Sequence, residues 1–89
     1  MKTLMLYRPN SEHGRLVDEF IRNFNQRSDS RHSIELINVD TRAGDATATL
    51  YDVMQYPAIL VTQNDGALQK SWEGGMLPLV DEVIAYTRA

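Results

Sequence analysis

One proline, set between a helical pattern and an apolar run, constrains this chain more than any other feature. Between Leu50 and Val61 the helical spacing stops, a Tyr56–Pro57 bond intervenes, and an apolar run opens at Ala58. Pro57 has no N–H to offer a helix, and it biases Tyr56 towards extended geometry. Ala58, Ile59, Leu60 and Val61 are continuously apolar, as in a strand covered on both faces. Asn64-Asp65-Gly66 then supplies residue types that tolerate positive φ, which predicts a tight hairpin.

The flanking segments read in the same way. Lys2 to Tyr7 is a short apolar run that predicts a first strand, broken by Arg8-Pro9-Asn10. Asn10 or Ser11 can cap a helix whose first turn contains Glu12, and the helix runs from residue 12 to about 26. Leu16, Val17, Phe20, Ile21 and Phe24 share its inward face. Ser28-Asp29-Ser30 ends it in a polar loop. Ile34 to Val39 is a second strand, apolar enough to predict a central position. Asp40-Thr41 offers capping groups for a second helix, whose face is Ala43, Ala46, Leu50, Val53 and Met54. Leu68 to Glu73 is a more polar strand suited to a sheet edge. After the Gly74-Gly75 turn, Pro78 fits a first helical turn, and Leu79, Val80, Val83, Ile84 and Thr87 face inward. Asp81 and Glu82 near the start and Arg88 near the end suit the helix dipole.

Composition excludes several functions. Residues 1–89 make a single domain. The net charge of −3, with basic residues scattered, argues against nucleic-acid binding. No apolar run approaches the roughly 20 residues that cross a bilayer, and Leu4 to Tyr7 is too short for a signal-peptide core, so a cytoplasmic, monomeric protein is expected. The chain contains no cysteine. That removes disulfides, thiolate metal sites and thiol catalysis together. His13 and His32 have no partner at metal-ligand spacing, and neither a metal nor a cofactor is expected.

The order β-α-β-α-β-β-α, with a proline before the third strand, resembles the thioredoxin-like fold over essentially the whole chain. Tyr51-Asp52-Val53 followed three residues later by Pro57-Ala58-Ile59-Leu60 is similar to the segment that leads into the thioredoxin cis-proline. Asn38-Val39-Asp40, Asn64-Asp65-Gly66 and Gly74 fall where that family ends its second strand, turns its hairpin and follows its last strand. The resemblance implies an α/β domain with a four-stranded mixed sheet and three flanking helices. It also implies a cis Tyr56–Pro57 bond. Aligned on Pro9, the family's Cys-x-x-Cys falls on Ser11-Glu12-His13-Gly14, and the family's buried acid falls on Met5. A serine hydroxyl cannot replace a thiolate in disulfide exchange.

The resemblance further implies that loop ends near residues 8–14, 55–57 and 74–76 meet on one rim. Ser11, Glu12, His13, Gln55, Tyr56, Pro57, Gly74 and Gly75 are the candidate binding residues, and none is expected to be catalytic. Ser11 beside His13 lacks the orienting acid an activated nucleophile needs. Arg8 and Arg15 near the first helix start form a candidate anion site. Trp72 is read as core packing on an edge strand. A redox-inactive module holding a peptide or partner protein is the leading expectation, through backbone pairing near Tyr56. Glutathione binding, with Ser11 in a transferase-like role and Gly74-Gly75 at its γ-glutamyl end, is the alternative. A degenerate paralogue with a structural role in a complex is the third. An exposed apolar patch at the rim would favour the partner module. Free amides at Gly74-Gly75 with a cation beside them would favour glutathione.

Overall fold

A computed structural model of the chain describes residues 2–9, 12–27, 34–74 and 77–87. Among these residues the order is β1 (Lys2–Tyr7), α1 (Gly14–Arg27), β2 (Ile34–Asn38), α2 (Arg42–Leu50), β3 (Ala58–Thr62), β4 (Leu68–Glu73) and α3 (Val80–Thr87). The strands form one mixed sheet in the order β2-β1-β3-β4. β1 pairs in parallel with β2, Met5 against Leu36, and antiparallel with β3, Met5 against Ile59. β3 and β4 are an antiparallel hairpin, with a register irregularity at Val61/Thr62. Its turn places Gly66 at φ 90°, and the Asp65 carboxylate accepts the Ala67 N–H at 2.9 Å.

The sheet has a core on each face. Met5, Ile59 and Val61 meet Val17, Phe20 and Phe24 of α1 and Val80, Val83 and Ile84 of α3. Leu4, Leu6, Ala58 and Leu60 on the other face meet Val39, Ala48 of α2 and Val53. This alternation is the period-2 geometry of a strand buried on both sides, and the continuous apolar runs of β1 and β3 follow from it. Trp72 is half-buried on β4 against the first cluster, with its ring 5.5 Å from that of Tyr86 in an edge-on contact.

Several expectations are corrected. β2 lies at an edge, with Leu36 46% exposed. Its apolar residues reflect partial cover by the helical layers, which does not dictate which strand is outermost. α1 opens at Gly14, and its first bond runs from the Val17 N–H to the His13 carbonyl at 3.1 Å. The cap position is therefore His13, and Glu12 precedes the helix. Asn10, Ser11, the Ser28-Asp29-Ser30 loop, His32, Gly75 and Arg88 lie outside the described residues. Leu16 is exposed, and so is Leu79. α3 begins at Val80, after Pro78, with the Leu79 carbonyl accepting from Glu82 and Val83.

The largest correction concerns α2. Its buried face is Gly44 and Ala48, while Ala43, Ala46 and Leu50 are exposed. Thr41 caps its start: the hydroxyl accepts the Gly44 N–H at 3.0 Å and donates to the Asn38 carbonyl at 2.8 Å. The helix ends in a left-handed turn. Asp52 has φ 56°, its N–H donates to the Thr49 carbonyl, and the Val53 N–H reaches back to that of Ala48 at 2.9 Å. This is a Schellman closure, and its usual apolar contact is the buried pair Val53 and Ala48. The reversal turns Val53 into the core and throws Met54 to the surface, so neither continues the helix face.

Candidate functional site

The strand directions bring one set of loop ends together. The C-terminal ends of β1, β2 and β4 and the N-terminal end of β3 lie at the same end of the sheet. All three helices among the described residues also begin there. A cleft of about 460 Å³ opens at this end, lined by Arg8, Glu12, His13, Met54, Gln55, Tyr56 and Pro57. Of the residues named from sequence, Glu12, His13, Gln55, Tyr56 and Pro57 are thus gathered around one space. Pro57 is buried, Tyr56 and His13 half-buried, and Glu12 and Gln55 exposed. The Tyr56–Pro57 peptide is cis.

Gly74 adjoins this group without lining the cleft. Its N–H donates to the Pro57 carbonyl at 3.1 Å, and its φ is 104°. A Cβ there would stand 2.9 Å from Gln55 Oε1. The exposed Gln55 side chain can swing aside, so it is the backbone conformation that favours glycine at this position. Ser11 and Gly75 fall outside the described residues.

Arg8 supplies a cation that was placed only loosely from sequence. Its guanidinium lies 5.5 Å from the Tyr56 ring centroid, and Nη1 donates to Asp40 Oδ1 at 3.1 Å. Both members of the ion pair are about half exposed, so the pair itself contributes less than about 1 kcal/mol. Its consequence is positional, because it holds the Arg8 side chain along one wall of the cleft. Arg15 does not join it. That arginine borders a separate depression with Asp18, Glu19 and Arg22, so the two arginines do not form one anion site.

Met54 was missed from sequence, because it was counted on a helix face. It is 75% exposed at the cleft. The signal that locates it is Asp52, a residue type that tolerates left-handed geometry, two positions earlier. Among the described residues, no backbone hydrogen bond engages Met54, Gln55 or Tyr56. The cleft thus combines an exposed apolar side chain, a ring, mixed charges and three residues of backbone that can pair with an added strand. Without cysteine it has no means of thiol–disulfide exchange. Among the described residues no group of three or more His, Asp or Glu could hold a metal ion. None of their helices is long and apolar enough to cross a membrane.

The domain has a thioredoxin-like fold and no cysteine for thiol chemistry. No family model matches the chain, and no curated protein does so at a significant level. Solved structures do match. A malarial protein superposes with a TM-score of 0.74 at 12% identity, over 97% of this chain and 91% of its own. Thioredoxin O2 from Arabidopsis thaliana, in its oxidized state, gives 0.72 at 10% identity, over 98% of this chain and 71% of its own. The first two thioredoxin domains of Saccharomyces cerevisiae Eps1p give 0.61 at 17% identity, over 98% of this chain and 34% of that one. The chain spans about a third of the Eps1p fragment. At these identities the likeness is one of fold.

Proposed function

We propose that this domain is a redox-inactive binding module that holds an extended segment of a partner protein along Met54, Gln55 and Tyr56. The observation that carries this reading is the uncommitted backbone of those three residues beside the exposed Met54 side chain. Backbone pairing supplies affinity without any reactive side chain, and flanking side chains supply selectivity. An apolar residue of the segment packs on Met54 and the Tyr56 ring. The glutathione reading has less support, because the Gly74 N–H is taken by the Pro57 carbonyl and Arg8 is turned to Asp40.

The test is selection of peptides from a random library, followed by titration of isotopically labelled protein. Saturable amide shifts are expected at Glu12, His13, Gln55 and Tyr56. Met54→Ser is expected to weaken binding about tenfold through lost apolar contact. Shifts on another face of the domain would overturn the assignment. Saturable shifts at Gly74 with reduced glutathione, and none with peptides, would restore the small-thiol reading.

A further inference from the structure

The two edges of the sheet are not protected alike. β4 carries Lys70 and Glu73 and lies beside the register irregularity at Val61/Thr62, features that keep an outer strand from pairing again. β2 has no such guard. It reads Ile34-Glu35-Leu36-Ile37-Asn38, with one charge, and pairs with β1 in an unbroken register. A depression of about 410 Å³ adjoins it, lined by Leu36 and Ile37 and by the small Ala43, Gly44 and Thr47 of α2.

Backbone direction shows what this edge offers. The Val39 N–H donates to the Tyr7 carbonyl at 3.1 Å, so Glu35, Ile37 and Val39 turn their backbone groups to β1. Alternation along the strand then turns those of Ile34, Leu36 and Asn38 outward. The Asn38 carbonyl is taken, by the Thr41 N–H at 3.2 Å and the Thr41 hydroxyl at 2.8 Å. Among the described residues no such bond engages the Leu36 backbone, and its side chain is exposed.

We infer that β2 pairs with β2 of a second copy of this chain, antiparallel, about a two-fold axis at Leu36. Such an axis stands perpendicular to the sheet and makes a self-complementary contact. Outward-turned residues then meet outward-turned residues. The two Leu36 residues exchange both N–H···O bonds, and their side chains cover each other. Each Asn38 N–H reaches the Ile34 carbonyl of the other copy. Glu35 lies opposite Ile37 of the second copy, so no like charges are directly opposed. Centring the pair on Glu35 would oppose two carboxylates. Centring it on Ile37 would need the Asn38 carbonyl that Thr41 occupies. The contact replaces the monomer expected from sequence and does not rest on the peptide reading of the cleft.

An edge of this length buries less than a standard interface of roughly 1,600 Å², so association is weak and is followed from about 0.02 to 1 mM protein. Over that series the mass from sedimentation is expected to rise towards about twofold. Amide shifts are expected to be larger at Leu36 and Asn38 than at Glu35 and Ile37, whose N–H groups already face β1. Leu36→Lys and Leu36→Glu each set like charges against one another, and both are expected to stay monomeric while keeping the fold, because the side chain is exposed. An equimolar mixture of the two variants is expected to associate, since residue 36 meets its own counterpart. A constant monomer mass for the unaltered protein overturns the inference. So does association that persists in either variant alone, or a mixture that stays monomeric. Shifts centred on Gln69 to Glu73 would place the contact on the other edge and overturn it as well.

Discussion

Gly44→Ala should lower the midpoint of thermal unfolding by roughly 5–15 °C. Gly44 sits where α2 crosses the end of β2. A Cβ at this position would lie 1.9 Å from the Asn38 carbonyl oxygen, 2.6 Å from its carbon and 3.0 Å from the Val39 Cα. All three are backbone atoms, so no side chain can rotate away. The helix must lift off the strand, and the movement strains two further contacts. One is the Thr41 cap, bonded to both Gly44 and Asn38. The other is Ala48, one turn on, in the small core beneath α2. Overpacking of this kind costs about 2–3 kcal/mol, well above the roughly 1 kcal/mol that alanine gains over glycine in a helix. A circular-dichroism melt decides it. A drop below about 3 °C would mean that α2 rides on the sheet more loosely than this contact implies.

Phe24→Ala carries a comparable or larger expected loss, about 3–5 kcal/mol. Phe24 is fully buried and is the largest of the fully buried side chains. Its ring lies 6.5 Å from that of Phe20, within the cluster joining α1, α3 and the sheet. A domain of this size has a total stability of roughly 4–13 kcal/mol, so the cavity would remove a large share of it. Leu16→Ala on the same helix is the comparison. Leu16 is 42% exposed, and its truncation should cost less than about 1 kcal/mol. Urea unfolding of the two variants side by side tests the burial pattern of α1, and equal shifts in midpoint would contradict it.

That pair shows what was readable in the sequence and what was not. Helical spacing assigns Leu16 and Phe24 to one stripe, but a stripe is wider than the contact it makes. Where the layer ends, at the first turn of α1 and ahead of α3, Leu16 and Leu79 fall outside it. Strand identity was legible because β1 and β3 are apolar on both faces. Strand order was not: β2 is nearly as apolar, and its edge position follows from where β3 docks. The lining of the candidate cleft was legible through Pro57 and its neighbours, whose pattern resembles a known family. Met54 and Arg8 were obscured for different reasons. Met54 is displaced by a turn that Asp52 makes without the usual glycine. Arg8 owes its place to Tyr56 and Asp40, residues 48 and 32 positions away.

The two cores differ in how firmly they hold their helices. The face under α1 and α3 is filled by two phenylalanines and long aliphatic side chains, whereas α2 is held by Ala48, Gly44 and a few valines and leucines. Less apolar area leaves water when α2 docks, so it is the unit that opens first, with the sheet and the other two helices still closed. Its amide protons should exchange ahead of those of β1 and β3. Met54 to Pro57 is the strap between α2 and β3. A segment that grips this strap resists that opening, so slowed exchange along α2 would register an occupied cleft from helix residues that line no part of it.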